Sequence, residues 1–269
     1  MKVKGSIVLI TGASSGIGAA TAKAMARTGA RVVLLARTRA ALEKVAADIS
    51  ANGGEARAYQ IDLTDAEAVA RVATTITAQI GTPDILINNA GAGRWLSIEE
   101  TSPAEAVEMM AAPYFAAFYV TRAFLPDMLR RGNGHIVNVT SPASRIVWPG
   151  ATAYTAARWA MRGFTEALRS ELRGSGVRVT LAVLGKVSSP YWEHNPGSEE
   201  RLPKIARLVP TLTPEQAAMS IVHAVEREAR EIVTPLMLRL IYMQHAVFPR
   251  LVEWMMSSTG WQRPQKIRG

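Results

Sequence analysis

An apolar run, Ser6-Ile7-Val8-Leu9-Ile10, leads into Thr11-Gly12-Ala13-Ser14-Ser15-Gly16-Ile17-Gly18, and a helical pattern opens there. Residues in this order suit phosphate binding. Gly12, Gly16 and Gly18 let the backbone turn tightly and approach a ligand without a Cβ in the way. The unpaired N–H groups and partial positive charge of a helix N-terminus then attract an anion. Glycine spacing alone fits an ordinary strand–helix turn, but strand, loop and helix in sequence point to a dinucleotide, with Gly12, Ser14, Ser15, Gly16, Ile17 and Gly18 as its contacts. The next strand ends Leu35-Ala36-Arg37-Thr38-Arg39. A site selecting NAD carries an acid there for the ribose 2′-hydroxyl. No acid is present, and Arg37 can grip a 2′-phosphate through two parallel hydrogen bonds. A solvated charged loop is the plainer alternative, and the pattern favours NADP(H).

Alternating elements must position these residues. Near-continuous apolar runs occur at 6–11, 31–36, 56–61, 84–89, 135–140 and 177–184, as expected of parallel strands covered on both faces. Ala-rich segments with helical periodicity lie between them, at about 18–36, 38–52, 65–80, 102–131 and 152–174, long enough for right-handed crossovers. The expected fold class is α/β, a doubly wound, Rossmann-like parallel sheet with helices on both faces. After residue 184 the pattern fades. Residues 185–213, rich in Pro, Ser and Arg, read as a substrate loop, 213–229 as a capped helix, and EIVT as a last strand. The expected division is one dinucleotide-binding and catalytic domain over 1–231 and an apolar extension over 232–269.

The chain has 269 residues, 48% of them hydrophobic and 20% charged, with 20 Gly and 14 Pro, a composition that excludes disordered and fibrous classes. Cysteine is absent, so there is no disulfide framework, thiolate metal site or cysteine nucleophile, and a reduced cytoplasmic setting fits. The four-residue apolar run before Thr11 is far shorter than the roughly 7–15 residues of a signal-peptide core, and reads as a strand. The net charge is +9, yet the basic residues are scattered, without a dense run or interleaved aromatics, so nucleic-acid binding is not expected. The four histidines show no metal-ligand spacing, and His135, opening a strand, reads as structural. No metal is expected.

Taken together, these motifs resemble the short-chain dehydrogenase/reductase family, whose TGxxxGxG loop matches residues 11–18; the resemblance runs from residue 5 to about 230. It implies further roles. Asp62 corresponds to the acid beside the adenine ring, and Asn88-Asn89-Ala90-Gly91 to the segment after the fourth strand, with Asn89, Ala90 and Gly91 at the cofactor. Ser141 follows the fifth strand and Tyr154 comes 13 residues later, the family's usual separation. Tyr154 is then the acid/base, with Ser141 bonding the substrate oxygen. Tyr154, Arg158, Val187 and Ser189 complete the cofactor contacts, and a homodimer or homotetramer is implied.

Three positions depart from the family pattern. The residue four after Tyr154 is Arg158, where the family has Lys. Positions i and i+4 share a helix face, so a cation still faces the phenol. A phenol ordinarily titrates near pH 10, so acid–base work near neutrality takes about 4 kcal/mol of help from nearby positive charge. Arg keeps that charge but is wider than an ammonium and does not deprotonate. With 24 Arg against 7 Lys in the chain, simple replacement is the plainer account. Counting 13 back from Pro126 places Pro113 where the family carries an Asn, and a proline there forces a kink. Leu184-Gly185-Lys186-Val187-Ser188-Ser189 stands for the usual PGxVxT, which leaves that backbone less fixed. These departures define two readings: a working NADP(H)-dependent oxidoreductase of a hydroxyl/carbonyl pair, or a member that binds the dinucleotide with little turnover and serves as sensor or partner subunit.

Trp95, Trp148, Trp192, Pro142, Ile146 and Val147 fall beyond strand ends and suggest an apolar pocket for a small-molecule substrate. Residues 232–256 form the most apolar stretch of the chain, but Pro235, Arg239, His245, Pro249, Arg250 and Glu253 interrupt it. No apolar piece approaches the roughly 18–20 residues of a membrane span. Packing over the substrate mouth or a neighbouring subunit is one reading, and a peripheral membrane contact through an interfacial helix is the other. Both place the segment beside substrate entry.

Overall fold

The structure is a computed structural model, and it describes residues 1–263. The chain alternates β1 (Ile7–Thr11), α1 (Gly16–Arg27), β2 (Arg31–Ala36), α2 (Arg39–Ala51), β3 (Glu55–Gln60), α3 (Ala66–Gln79) and β4 (Ile85–Asn88). It continues through α4 (Pro103–Met110), a π turn over Ala111–Phe115, α5 (Ala116–Arg131), β5 (Gly134–Thr140), α6 (Thr152–Glu171) and β6 (Val177–Leu184). The last third holds a short α7 (Tyr191–His194), α8 (Pro214–Glu226), β7 (Glu231–Thr234), α9 (Leu236–Val247) and α10 (Pro249–Thr259).

The strands pair in the order β3-β2-β1-β4-β5-β6-β7, every pair parallel. Side chains alternate across the sheet with period two. Val8, Ile10, Val32 and Leu34 join the core layer beneath α1, α2 and α8, while Ile7, Leu9, Val33 and Leu35 join the layer beneath α3, α5 and α6. Both faces are therefore covered, which is why these runs are almost wholly apolar. The order of the strands reverses between β1 and β4, and the crevice at their carboxyl ends is where such folds hold ligands.

Helix boundaries follow capping chemistry. Thr213 Oγ1 accepts from the Gln216 N–H at 3.2 Å and Gln216 Oε1 accepts from the Thr213 N–H at 2.9 Å, which starts α8. Ser102 and Glu105 start α4 in the same way. The helical pattern expected over 18–36 stops at Arg27, because Arg31–Ala36 are needed as the strand between β1 and β3. The single helix expected over 102–131 is broken at Pro113, which has no N–H to donate. There the Ala116 N–H reaches back five residues to the Ala111 carbonyl, the π pattern, and the widened turn packs on α6. The EIVT stretch read as a last strand is β7, paired with β6, so the sheet runs three residues past the domain boundary expected at 231.

Candidate active site

A continuous cleft of about 1150 Å³ crosses the carboxyl ends of the strands. At its phosphate end, Gly12, Ser14, Ser15, Gly16 and Ile17 form the rim. Gly18 does not border the cleft; it lies buried behind the loop, where a Cβ would fall 2.1 Å from the Gly12 carbonyl oxygen. Gly12 itself has φ +66 and faces Ala90 Cα, which an added Cβ would meet at 3.0 Å. The two loops are tied together here. Thr11 Oγ1 accepts the N–H groups of Asn89 and Ala90, both at 2.9 Å, and Asn89 Nδ2 donates to the Thr11 carbonyl at 3.0 Å.

Further along, Arg37 and Thr38 from the end of β2 face Asp62 and Thr64 across the same cleft. The Asp62 carboxylate accepts from the Thr64 N–H at 3.0 Å and the Thr64 hydroxyl at 2.8 Å. Those two bonds, with a smaller contribution from the Arg37 charge, hold its pKa below the usual carboxylate range.

On the other side of the glycine loop from Arg37, Ser141, Tyr154 and Arg158 border the cleft together with Ala90, Gly91, Val187 and Ser189, of which Ala90 and Ser189 lie against Gly12 and Gly16. Tyr154 is 6% exposed, in a cluster with Trp95, Trp148, Met109 and Ala143. Its ring centre lies 5.2 Å from that of Trp95, which is in turn 5.1 Å from Trp148 and 5.5 Å from Trp192. The Arg158 guanidinium carbon sits 4.7 Å from the Tyr154 ring centre, and its terminal nitrogens crowd Gly91, where a Cβ would come within 3.1 Å. Arg158 Nε and Trp148 Nε1 are buried donors with no hydrogen-bond partner among the described residues. Buried donors are almost always satisfied in native proteins, so a cleft bordered by two unsatisfied ones suits a ligand rich in acceptors. Ser141 Oγ accepts from the Ala143 N–H at 3.2 Å, which leaves the hydroxyl proton available to the cleft.

Trp95, Trp148, Trp192, Pro142 and Ile146 line the cleft as expected, whereas Val147 points outward, 46% exposed. Sequence reasoning missed Tyr191, whose hydroxyl donates to the Gly93 carbonyl at 2.6 Å and accepts from Trp95 Nε1 at 3.1 Å. Burial, and then the neighbouring Tyr154, push the Tyr191 pKa well above its usual value. Of the two adjacent phenols, Tyr191 is thus committed as a neutral donor. Its place beside Trp192 in a loop was the available signal.

The backbone at 184–189, where a family proline is missing, is nonetheless held. The Gly185 N–H donates to the Thr234 carbonyl at 2.7 Å, and a parallel bridge between Val187 and Leu212 is closed by the Ser188 N–H donating to the Leu212 carbonyl at 2.9 Å and the Leu212 N–H donating to the Lys186 carbonyl at 2.8 Å. The helices after β7 close the cleft from another side with Leu238, Ile241, Val252 and Met255. Among the described residues no three His, Asp or Glu side chains gather as a metal site. His135 is fully buried, with Nε2 2.8 Å from Thr180 Oγ1.

Residues 6–199 match the sequence model of the short-chain dehydrogenases. The chain is 35% identical over 257 residues to a fatty acyl-CoA reductase of Acinetobacter baylyi, covering 95% of this chain and 84% of that protein. It is 40% identical over 238 residues to an uncharacterized oxidoreductase of Mycobacterium tuberculosis, covering 87% of this chain and 67% of that one. Among solved structures, a short-chain dehydrogenase from Burkholderia cenocepacia in complex with NADP superposes with a TM-score of 0.80 at 27% identity, over 95% of this chain and 99% of that chain.

Proposed function

The chain belongs to the short-chain dehydrogenase family, and on that premise we propose that this oxidoreductase uses NADP(H) to interconvert a carbonyl and a hydroxyl on an extended apolar substrate. The residues suit that cofactor. The Gly12–Ile17 rim offers helix N-terminal N–H groups to the pyrophosphate. Arg37, with no acid at the end of β2, suits a 2′-phosphate, and the unpartnered Arg158 Nε suits ribose oxygens. When bound, the dinucleotide supplies or accepts the hydride.

The protein's own work is proton transfer and positioning. Ser141, its oxygen already accepting from the Ala143 N–H, donates a hydrogen bond to the substrate oxygen, keeping its own proton, and fixes that oxygen beside Tyr154. The Tyr154 hydroxyl then gives up a proton to that oxygen in reduction, or takes it in oxidation. The indoles of Trp95 and Trp192, with Tyr191 packed against both, keep water from the reacting atoms. A cleft of about 1150 Å³, walled partly by α9 and α10, has room for a chain as well as a cofactor, and the fatty acyl-CoA reductase relative supports a long-chain carbonyl as the substrate. The exposed apolar side chains of Phe115 and Phe118 on one helix and Trp159 on the next suit assembly of like subunits.

The observation that carries this reading is Tyr154 itself, 6% exposed yet bordering the cleft, between an indole and a guanidinium. The experiment is a single-turnover assay with NADPH and a long-chain aldehyde, comparing the parent with Tyr154→Phe. The expected loss in rate is at least about 100-fold, with NADPH affinity held within about twofold. An unchanged rate would remove Tyr154 from the chemistry. A parent that binds NADPH but oxidises none with aldehydes or ketones would establish the sensor or partner-subunit reading instead.

A further inference from the structure

Helices α9 and α10 are apolar on two sides, and among the described residues only one side is covered. Leu238, Ile241, Val252 and Met255 border the cleft. On the opposite side of α9, Leu236, Leu240, Met243 and Val247 follow one another at helical spacing and are 55% to 68% exposed. Phe248, Leu251 and Trp254 extend this stripe through the corner into α10, exposed by 60%, 52% and 65%. A continuous stripe of this kind is costly in water and marks a binding surface.

We propose that this outer stripe docks on an anionic lipid bilayer, seating α9 and α10 among the headgroups with the cleft opening beside them. Charge selects the occupant. Arg239 and Arg250 flank the stripe, the 204–208 turn packed on α10 adds Lys204, Arg207 and the exposed Leu208, and Glu253 is the single carboxylate on these three elements. The whole chain carries +9. A second copy laid symmetrically on the stripe would bring these cations against themselves, whereas an anionic surface neutralises them. Apolar burial and basic attraction together make a stable peripheral anchor. Among the described residues no helix is long and apolar enough to cross a membrane, so the contact is peripheral. Because the same two helices wall the cleft on their inner side, a lipid-dissolved substrate would meet the entrance where the protein sits. The docking stands on exposure and charge alone, independent of the chemistry proposed above.

The test mixes the full chain with vesicles of equal parts phosphatidylcholine and phosphatidylglycerol, or of phosphatidylcholine alone, and measures flotation at low and high salt. The expected result is flotation with the anionic vesicles at low salt and loss of most of it at high salt. The triple variant Leu240→Glu, Met243→Glu, Trp254→Glu should float at least about tenfold less while keeping the parent's NADPH titration. A vesicle-induced blue shift in tryptophan emission, present in the parent and missing in Trp254→Phe, locates the contact independently of folding. A parent that stays unfloated at low salt, a triple variant that floats equally, or a triple variant that merely dissociates a larger assembly would each overturn the proposal.

Discussion

The guanidinium of Arg158 lies over the face of the Tyr154 ring, its central carbon 4.7 Å from the ring centre, one turn further along α6. The cation thus holds positive charge against the phenol and, by filling the space up to Gly91, also shapes the floor of the cleft. A lysine would deliver the same charge as a compact ammonium on a flexible stem. Arg158→Lys is therefore expected to keep kcat within about threefold of the parent, or raise it, whereas Arg158→Met should lower kcat by about tenfold or more. Steady-state kinetics of both variants with NADPH check this, and an Arg158→Met enzyme as fast as the parent would show the charge to be dispensable.

The proposed preference for NADP(H) rests on Arg37, which borders the same cleft as Asp62. NADPH should bind at least about tenfold more tightly than NADH, worth about 1.4 kcal/mol. In Arg37→Asp two carboxylates face the ribose, so the order should invert. Fluorescence titration of both coenzymes against both proteins is the measurement, and equal affinities in the parent would refute the assignment.

Acid sensitivity of the fold is expected to centre on His135. Burial, its main cause, lowers the pKa of this imidazole from 6.5 to about 4. The unfolded chain takes up a proton as the pH falls below about 6.5 while the folded chain refuses it until about 4, so stability is complete above that window and drains away within it. Between pH 7 and pH 5 the loss is about 2 kcal/mol. His135→Leu should flatten this part of the profile, since Thr180 keeps its hydrogen bond to the Ala229 carbonyl. Urea midpoints at the two pH values decide it: parallel declines in parent and variant would place the sensitivity elsewhere.

Much of the sheet was readable because parallel strands buried on both faces leave uninterrupted apolar runs, and β1, β2 and β6 lie almost where those runs do. The cleft residues at strand ends were readable for a related reason: Gly12 and Ser141 follow β1 and β5 directly, so sequence order fixes their side of the sheet. What escaped depends on contacts between distant positions. Nothing near Tyr242 announces that its hydroxyl donates to the Pro142 carbonyl at 3.3 Å, next to Ser141. That bond, and the stacking of the Arg145 guanidinium 4.9 Å from the Tyr242 ring centre, bring α9 back over the cleft. Gly18 was legible as a glycine but not as the residue behind Gly12, because only the packed turn shows the 2.1 Å that a Cβ would have to occupy.

The wall contributed by α9 and α10 follows the last strand, while the glycine loop and Arg37 stand at the other end of the chain. On the proposed reading, the apolar wall of the entrance that comes after Thr234 is encoded apart from the stretch that would hold the coenzyme phosphates, although Trp95 and Trp148 share in that wall. Grafting a different tail after Thr234 would exchange the greasy side of the entrance and leave the dinucleotide cradle as it was.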